Sequence, residues 1–319
     1  MLRIRARSSR QGTGPMSRRS PNGAVIAVVL AVALAGTWRI SLVRAAGGSG
    51  QAVQANPPGK CPENEAALFH SCIMSRAQTY EPPRTSDGKP DMQGWWQSPL
   101  GGTQNIEEHG RTPATQPGKS LIVDPPSGLI PYQPWAAEQI KTNVKTYVEP
   151  NAACFPSGSP RSIYTPGGFQ IRQSPGYVVM LFDRAHNYRI IPTDGRPRLG
   201  KDIALWQGEP RGRWDGNTLV VDVVKQNGRS WLDQQGRFGT DALHVIERFA
   251  FVDEDTMHVE ATIEDPNVYT RPWTMAFPLK RDKRKSRTEF IEDACFEGDE
   301  TADMLLKLGY RVFTGVRRP

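Results

Sequence analysis

The sequence lacks the short motifs that mark several large enzyme classes. It contains no G-x-S-x-G nucleophile elbow, no His-Glu-x-x-His pair, no P-loop and no G-x-G-x-x-G fingerprint. These absences exclude a serine hydrolase of the nucleophile-elbow type, a zincin and an enzyme built on a nucleotide-binding loop. Any chemistry must therefore depend on residues that the fold, and not a local motif, brings together.

Acidic residues and lysine are absent from the first 46 residues, which hold eight arginines. The apolar run 24–36 covers thirteen residues, about 20 Å of helix, which is less than the ~30 Å that a membrane span needs. A basic segment followed by a short apolar run is typical of a secretory signal peptide, and small residues suit cleavage after Ala35 or Ala45. We therefore predict that residues 1–46 are a signal peptide or an uncleaved signal anchor, and that the remainder is periplasmic or extracellular.

Outside this segment the chain has almost no net charge. Without its eight arginines, the 40 basic residues fall to 32 against 33 acidic residues, a net charge of −1. The basic footprint of a nucleic-acid-binding protein is missing, so no nucleic-acid partner is expected. The basic run 280–287 is interpreted as a solvated hairpin tip, and membrane contact is expected only through an uncleaved N-terminal anchor.

Cysteine is scarce, with four in the chain. The cysteines form no C-x-x-C pair and the histidines show no zinc-ligand spacing, so neither a metal nor another cofactor is expected. In an oxidising compartment, four cysteines allow three disulfide connectivities. The simplest of the three joins Cys61 to Cys72 and Cys154 to Cys295.

The composition divides the exported part into a linker and one domain. Residues 47–60 are rich in Gly, Pro and polar residues, and too poor in apolar residues to pack. Residues 61–319 are predicted to form a single mostly-β domain. Its first part, 61–150, is loop-rich and is expected to wrap around the rest, with one helix that begins at Pro134. Its second part, 151–319, is the strand-rich core.

Short apolar stretches separated by turn residues recur through the second half of the chain, which is the pattern of an all-β domain. Residues 215–217 and 253–255 are predicted to be tight turns that join consecutive strands. Consecutive hairpins give an antiparallel meander, so the predicted fold is mostly β, a small barrel or open sandwich of lipocalin-like type. The predicted strands are 176–182, 186–191, 218–224, 243–252, 256–263, 273–279 and 287–291.

The folded part also carries a set of longer motifs. They are PRTSDGKPD (83–91), NIEEH (105–109), IVDPPSG (122–128), FQIRQSPGYV (169–178), RGRWDGNTLVVD (211–222), DALHVIER (241–248), TIEDP (262–266) and YTRPW (269–273). Through them, most of residues 83–299 resembles a family of uncharacterised secreted bacterial proteins. The sequence departs from that family's pattern at Phe296, where a His is expected, and at Asp183-Arg184, where a Glu-Tyr pair is expected. The resemblance implies a shared fold and export, and it supplies no activity.

Ionisable residues inside apolar strands are the candidates for chemistry. Strand alternation places His244 on the face opposite Glu247, and the neighbouring strands can supply carboxylates to the face of His244. Imidazole titrates near neutral pH, and a carboxylate beside it fixes its tautomer. An internal ion-pair network that fixes the strand register would use the same residues. The predicted catalytic residues are His244, His186, Glu264 and Asp222.

A second set of residues is predicted to bind the substrate. Arg248 shares the face of His244 and, like Arg271, is a candidate to hold an anionic group. Trp273 is a candidate wall of a ligand pocket, and His109 is a candidate lid on the long loop. The simpler alternatives are surface ion pairs, a core tryptophan and an exposed loop histidine.

Two classes of function remain. The first is a cofactor-independent lyase, isomerase or hydrolase that uses His/carboxylate acid–base chemistry in a β pocket on a small organic substrate. The second is a non-catalytic extracytoplasmic protein that binds a small apolar or aromatic molecule. The number of ionisable residues within apolar strands favours the enzyme.

Overall fold

The computed structural model of the protein describes residues 60–76, 79–112, 116–185, 187–200, 202–284 and 301–316. They belong to one unit of the chain, Gln54–Pro319. The helices are α1 (Ala66–Met74), α2 (Pro134–Thr146), α3 (Arg161–Tyr164) and α4 (Thr301–Lys307). The strands are β1 (Gly94–Gln97), β2 (Ile122–Asp124), β3 (Tyr147–Val148), β4 (Phe169–Ser174), β5 (Tyr177–Phe182), β6 (Tyr188–Pro192), β7 (Glu209–Asp215), β8 (Thr218–Val224), β9 (His244–Asp253), β10 (Thr256–Glu264), β11 (Trp273–Arg281) and β12 (Arg311–Val312).

Nine of these strands form one antiparallel sheet that is nearly closed into a barrel, as the hairpin pattern predicts. Their order is β6-β5-β4-β1-β11-β10-β9-β8-β7, and β2 also pairs with β11. The two ends of this order approach each other closely. A Cβ built on Gly212 of β7 would lie 2.8 Å from a methyl carbon of Ile191 in β6. The small parallel pair of β3 and β12 forms a separate sheet.

Strand β1 makes the wall of the barrel continuous. It lies between β4 and β11, with Trp96 opposite Phe169 on one side and Arg281 on the other. The sequence predicts only a wrapping loop here, because four residues that include two tryptophans show too little alternation to indicate a strand. Trp96 is fully buried and packs edge-on against Phe251. Gly168 permits the close approach, since a Cβ there would lie 2.4 Å from the Trp96 carbonyl oxygen.

Side chains alternate between a packed interior and an outer face. In β9 the even-numbered residues from His244 to Ala250 are partly exposed, and Val245, Glu247 and Phe249 between them are buried. In β10 the interior residues include Val259. Aliphatic and aromatic side chains from all parts of the wall form one large buried cluster. The interior is therefore a core, as expected for a small barrel.

The predicted turns are confirmed. Strand β7 ends at Asp215 and β8 begins at Thr218, and Gly216 between them adopts a φ of +57°, a left-handed conformation that glycine reaches without steric penalty. Strands β9 and β10 are joined just as tightly at 254–255. The predicted strand 287–291 lies outside the described residues. The strands that the sequence pattern missed are β1, β2, β3, β4, β7 and β12.

A disulfide holds the start of the folded region. Cys61 and Cys72 are bonded, as predicted, with their Cα atoms 5.7 Å apart. Cys154 also takes part in a disulfide, and its predicted partner Cys295 lies outside the described residues. None of the helices in the described part of the chain has the length and hydropathy needed to span a bilayer.

Candidate functional site

Three predicted catalytic residues meet on the outer face of the barrel. His244 begins β9, and Glu264 lies directly opposite it on β10. Asp222 lies diagonally across on β8, where it pairs with Ile246. All three are outward-facing because they occupy alternate positions of strands whose other residues fill the core. Strand register and alternation therefore create the cluster.

Both nitrogens of the His244 ring face a carboxylate. The Nε2 atom lies 2.9 Å from Asp222 Oδ1, which is hydrogen-bonding distance, and the Nδ1 atom lies 3.8 Å from Glu264 Oε2. Arg198 adds a cation, since its Nη2 atom lies 3.0 Å from Asp222 Oδ1. Arg198 also donates to the backbone carbonyl of Glu209 at 2.7 Å, so the loop that carries it is fixed to the barrel.

This geometry assigns different roles to the two ring nitrogens. A neutral imidazole that donates from Nε2 to Asp222 keeps its lone pair on Nδ1. The 3.8 Å gap between Nδ1 and Glu264 is too long for a hydrogen bond, so another group can approach Nδ1. Glu264 Oε2, 3.8 Å from Nδ1, lies on the side from which a proton would be delivered or removed. The arrangement can therefore exchange protons with a molecule that binds against the outer face.

The site is open and shallow. The side chain of His244 is 34% exposed and those of Asp222 and Glu264 are 50% and 54% exposed. The sequence pattern predicts such a group inside a β pocket, but the cluster faces solvent.

An ion pair occupies the barrel interior instead. Arg189 of β6 donates to both carboxylate oxygens of Glu247, with 3.1 Å between Nη1 and Oε1, and both side chains are fully buried. Glu247 is in β9, whereas Arg189 is in β6, on the other side of the gap between β6 and β7 where the two ends of the sheet approach each other. The pair thus links β6, at one end of the sheet, to β9, the third strand from the other end, across the core. This is the register-fixing role that an internal ion pair can have.

The predicted substrate-binding residues do not gather around His244. Arg248 is on the same face, four residues along β9, where its Nη2 atom lies 3.2 Å from Asp215. Arg271 binds Asp124 at 2.8 Å, and hydrogen bonding from this guanidinium lowers the pKa of Asp124. Trp273 is fully buried in the core and packs edge-on against Tyr269.

The two remaining predicted histidines are elsewhere. His109 lies on the long loop, where its Nδ1 atom is 2.9 Å from the carbonyl oxygen of Glu107. The Glu107 carboxylate in turn forms an ion pair with Arg237, which anchors this loop to the folded body. His186 lies outside the described residues.

A cleft of about 250 Å³ opens elsewhere on the surface. Its lining is mixed, with hydroxyl, amide and guanidinium groups beside an aromatic ring. The buried Ser162 at its wall accepts a 2.6 Å hydrogen bond from the Gln207 amide. The lining residues include Asn151, Ser157, Ser162, Thr165, Phe182 and Arg184.

A second histidine cluster lies between α1 and β10, and the sequence analysis did not identify it. The His70 Nδ1 atom is 3.1 Å from His258 Nε2 and 3.9 Å from Glu260 Oε2. Burial, together with the neighbouring His70, lowers the pKa of His258 from 6.5 to about 4. The pattern His258-x-Glu260 does indicate that these two share a strand face. Nothing local indicates that His70 reaches them from 188 positions away.

Comparisons with family models, curated proteins and solved structures found no match to this chain.

Proposed function

We propose that the chain is an exported enzyme that moves protons on a small organic substrate, with His244 as general acid–base. The observation that supports this proposal is the 2.9 Å contact between His244 Nε2 and Asp222 Oδ1, with Nδ1 left to exchange a proton beside Glu264. A positioned general base of this kind typically accelerates a reaction by about 10²–10⁴-fold.

Each member of the cluster has a distinct role in this proposal. Asp222 holds the ring through Nε2, His244 takes a substrate proton on Nδ1, and Glu264 stabilises the imidazolium and receives the proton or returns it through water. Arg198 holds Asp222 in place through its 3.0 Å contact. Lyases, isomerases and hydrolases that work by acid–base chemistry all include such a step, and the proposed reaction uses no cofactor.

Export is part of the proposal. The basic and apolar pattern of residues 1–46 supports a secretory leader. The Cys61–Cys72 disulfide supports an oxidising compartment, because such bonds are rare in a reducing cytosol. The proposed location is therefore periplasmic or extracellular.

A non-catalytic binding protein is the second candidate, and the cleft near Ser162 favours it. The empty space of about 250 Å³ there includes open solvent, so the cleft encloses far less than the ~300 Å³ at which small-molecule pockets usually begin. Its lining of hydroxyl and amide groups suits a small polar ligand more than the apolar or aromatic molecule expected from the tryptophan content. If the chain is a binding protein, His244, Asp222 and Glu264 form only surface ion pairs and take no part in chemistry.

The acid–base proposal is tested by proton exchange. The wild-type protein and the His244→Gln variant are incubated in D₂O with a panel of small esters, lactones and hydroxy and keto acids, and conversion and C–H exchange are followed by NMR. We expect a wild-type rate at least about 100-fold above that of His244→Gln on the responsive compound.

The matched control is Asp215→Asn, which removes a carboxylate of similar exposure from the same outer face, where it contacts Arg248. It is expected to retain the wild-type rate. Equal rates for wild type and His244→Gln across the panel would contradict the enzyme proposal. Ligand-induced NMR shifts at the Ser162 cleft without conversion would support the binding protein.

A further inference from the structure

A second site lies farther along the outer face, where helix α1, which lies over β11 and β2, also reaches strand β10 through its side chains. Glu260 is four residues from Glu264 on the same strand, a distance of about 13 Å, so this cluster is separate from the His244 group. It consists of His70 on α1 and of His258 and Glu260 on β10. The inference drawn from it does not depend on the proposed function.

The three side chains direct their ligating atoms at one point. His70 Nδ1, His258 Nε2 and a Glu260 carboxylate oxygen all lie within 4.8 Å of one another. Two ligands bound to a tetrahedral Zn²⁺ at about 2.0–2.1 Å are separated by about 3.3 Å. The 3.1 Å distance between the histidine nitrogens is close to this value. The 3.9 Å distance from His70 to Glu260 exceeds it by about 0.6 Å, and the third pair lies within 4.8 Å, so the Glu260 carboxylate must move toward the imidazoles by about 1 Å to complete the site.

We propose that His70, His258 and Glu260 bind one Zn²⁺ ion, which joins helix α1 to the barrel wall. Two imidazoles and one carboxylate are a zinc donor set that leaves a further position for water or another ligand. The partial exposure of His70 and Glu260, 20% and 23% of their side chains, gives an ion access from solvent.

The surroundings favour ligation. His258 is 6% exposed and its ring packs against Phe69 at 5.6 Å between centroids, so the imidazole is held in one orientation.

The nearby cations are each engaged with another group. Lys280 lies 2.8 Å from Glu63 and 2.6 Å from the Thr256 hydroxyl. Arg248, which pairs with Glu260 in the strand register, contacts Asp215 at 3.2 Å. Within the part of the chain that the structure describes, neither cation hydrogen-bonds to the Glu260 carboxylate, so that carboxylate is available to an ion.

The disulfide supports the same geometry. Cys61–Cys72 ties the helix that carries His70 to the preceding segment, and Phe69 and Ile73 pack with this disulfide in one buried cluster. The helix therefore presents His70 to β10 from a position that is fixed before any ion arrives.

Zinc titration of the untagged full chain, by calorimetry and by metal analysis after dialysis, tests the proposal. We expect one Zn²⁺ per chain. Zinc affinity should be at least about tenfold weaker in Glu260→Gln and in His70→Gln, because removal of a residue that only orients a metal ligand already weakens metal binding by about 10–100-fold. Wild-type protein should also unfold at a higher temperature with Zn²⁺ than with a chelator.

His109→Gln is the matched control, since it removes a histidine that contacts the Glu107 carbonyl and is not one of the three proposed ligands, so it should leave zinc affinity unchanged. Glu260→Gln keeps the size of a partly exposed side chain, so a folded variant is available even if His70→Gln is unstable. Equal zinc affinity in wild type and Glu260→Gln, or no stoichiometric zinc in the wild type, would overturn the proposal and leave a simple hydrogen bond between two histidines.

Discussion

The two faces of strand β9 carry charged residues in very different settings. On the inner face, Glu247 is fully buried and its carboxylate binds Arg189 through both oxygens. On the outer face, His244 is 34% exposed and contacts carboxylates that are about half exposed. A charge inside the barrel must be paired for the fold to survive, whereas a charge outside can be lost at little cost in stability. This difference separates residues that stabilise the barrel from residues that are available for chemistry.

The largest effect is expected from breaking the inner pair. Glu247→Ala leaves the Arg189 guanidinium buried without its partner, and we expect it to lower the free energy of unfolding by about 3–5 kcal/mol. Urea denaturation followed by tryptophan fluorescence measures this loss.

The double variant Arg189→Met/Glu247→Leu sharpens the test. Two apolar side chains of similar volume avoid an unpaired charge, so the double variant should be more stable than Glu247→Ala. A double variant as unstable as the single one would mean that packing around these side chains, and not the charge, sets the cost.

A smaller effect is expected where helix α1 covers the outer face. Replacing Cys61 and Cys72 by serine removes a crosslink across 11 positions, and we expect a loss of about 2–3 kcal/mol on the chain-entropy account. The same variant should bind Zn²⁺ more weakly than wild type, because His70 is then held less firmly. Differential scanning calorimetry with and without Zn²⁺ measures both changes, and unaltered zinc affinity would show that packing alone orients α1.

The smallest effect is expected at the His244 cluster. Asp222 is half exposed, and an exposed ion pair contributes about 0–1 kcal/mol. Asp222→Asn should therefore change the urea midpoint very little and still lower the proton-exchange rate, since the amide no longer favours the imidazolium. A stability loss as large as that of Glu247→Ala would contradict the distinction between the two faces.

Alternation along the strands made much of this predictable. The period of two in β9 and β10 placed His244 and Glu264 on faces that could meet, and the short turn at 254–255 predicted that these two strands pair. Strand β8 is separated from β9 by residues 225–243, so no turn predicted that Asp222 lies beside His244. The alternation did not indicate which face of each strand would point into the barrel. Glu247 reads as a surface residue, and only the partner contributed by Arg189 from a distant strand allows its burial.

The parts that the sequence did not predict depend on contacts between distant segments. Residues 94–97 form strand β1 because they pair with β4 on one side and with β11 on the other. His70 joins its cluster because the packing of α1 on the barrel brings its side chain to His258 of β10. Such contacts leave no periodic trace in the local sequence. Arg198 was missed for the same reason, since the loop that carries it contributes to the His244 site only by folding back on β7 and β8.

The position of β1 has a consequence for how the barrel folds. Without this strand, the sheet would consist of two separate meanders, β4 to β6 and β7 to β11, each with an unpaired edge. Trp96 pairs with Arg281, so the wall closes only after nearly the whole folded region has been synthesised. Pairings between strands this distant in the sequence slow folding. Until β1 has paired with both β4 and β11, the unpaired edges of these strands can pair with strands of other chains. Aggregation would therefore begin from a partly folded chain in which one meander has formed and its edge strand is still unpaired.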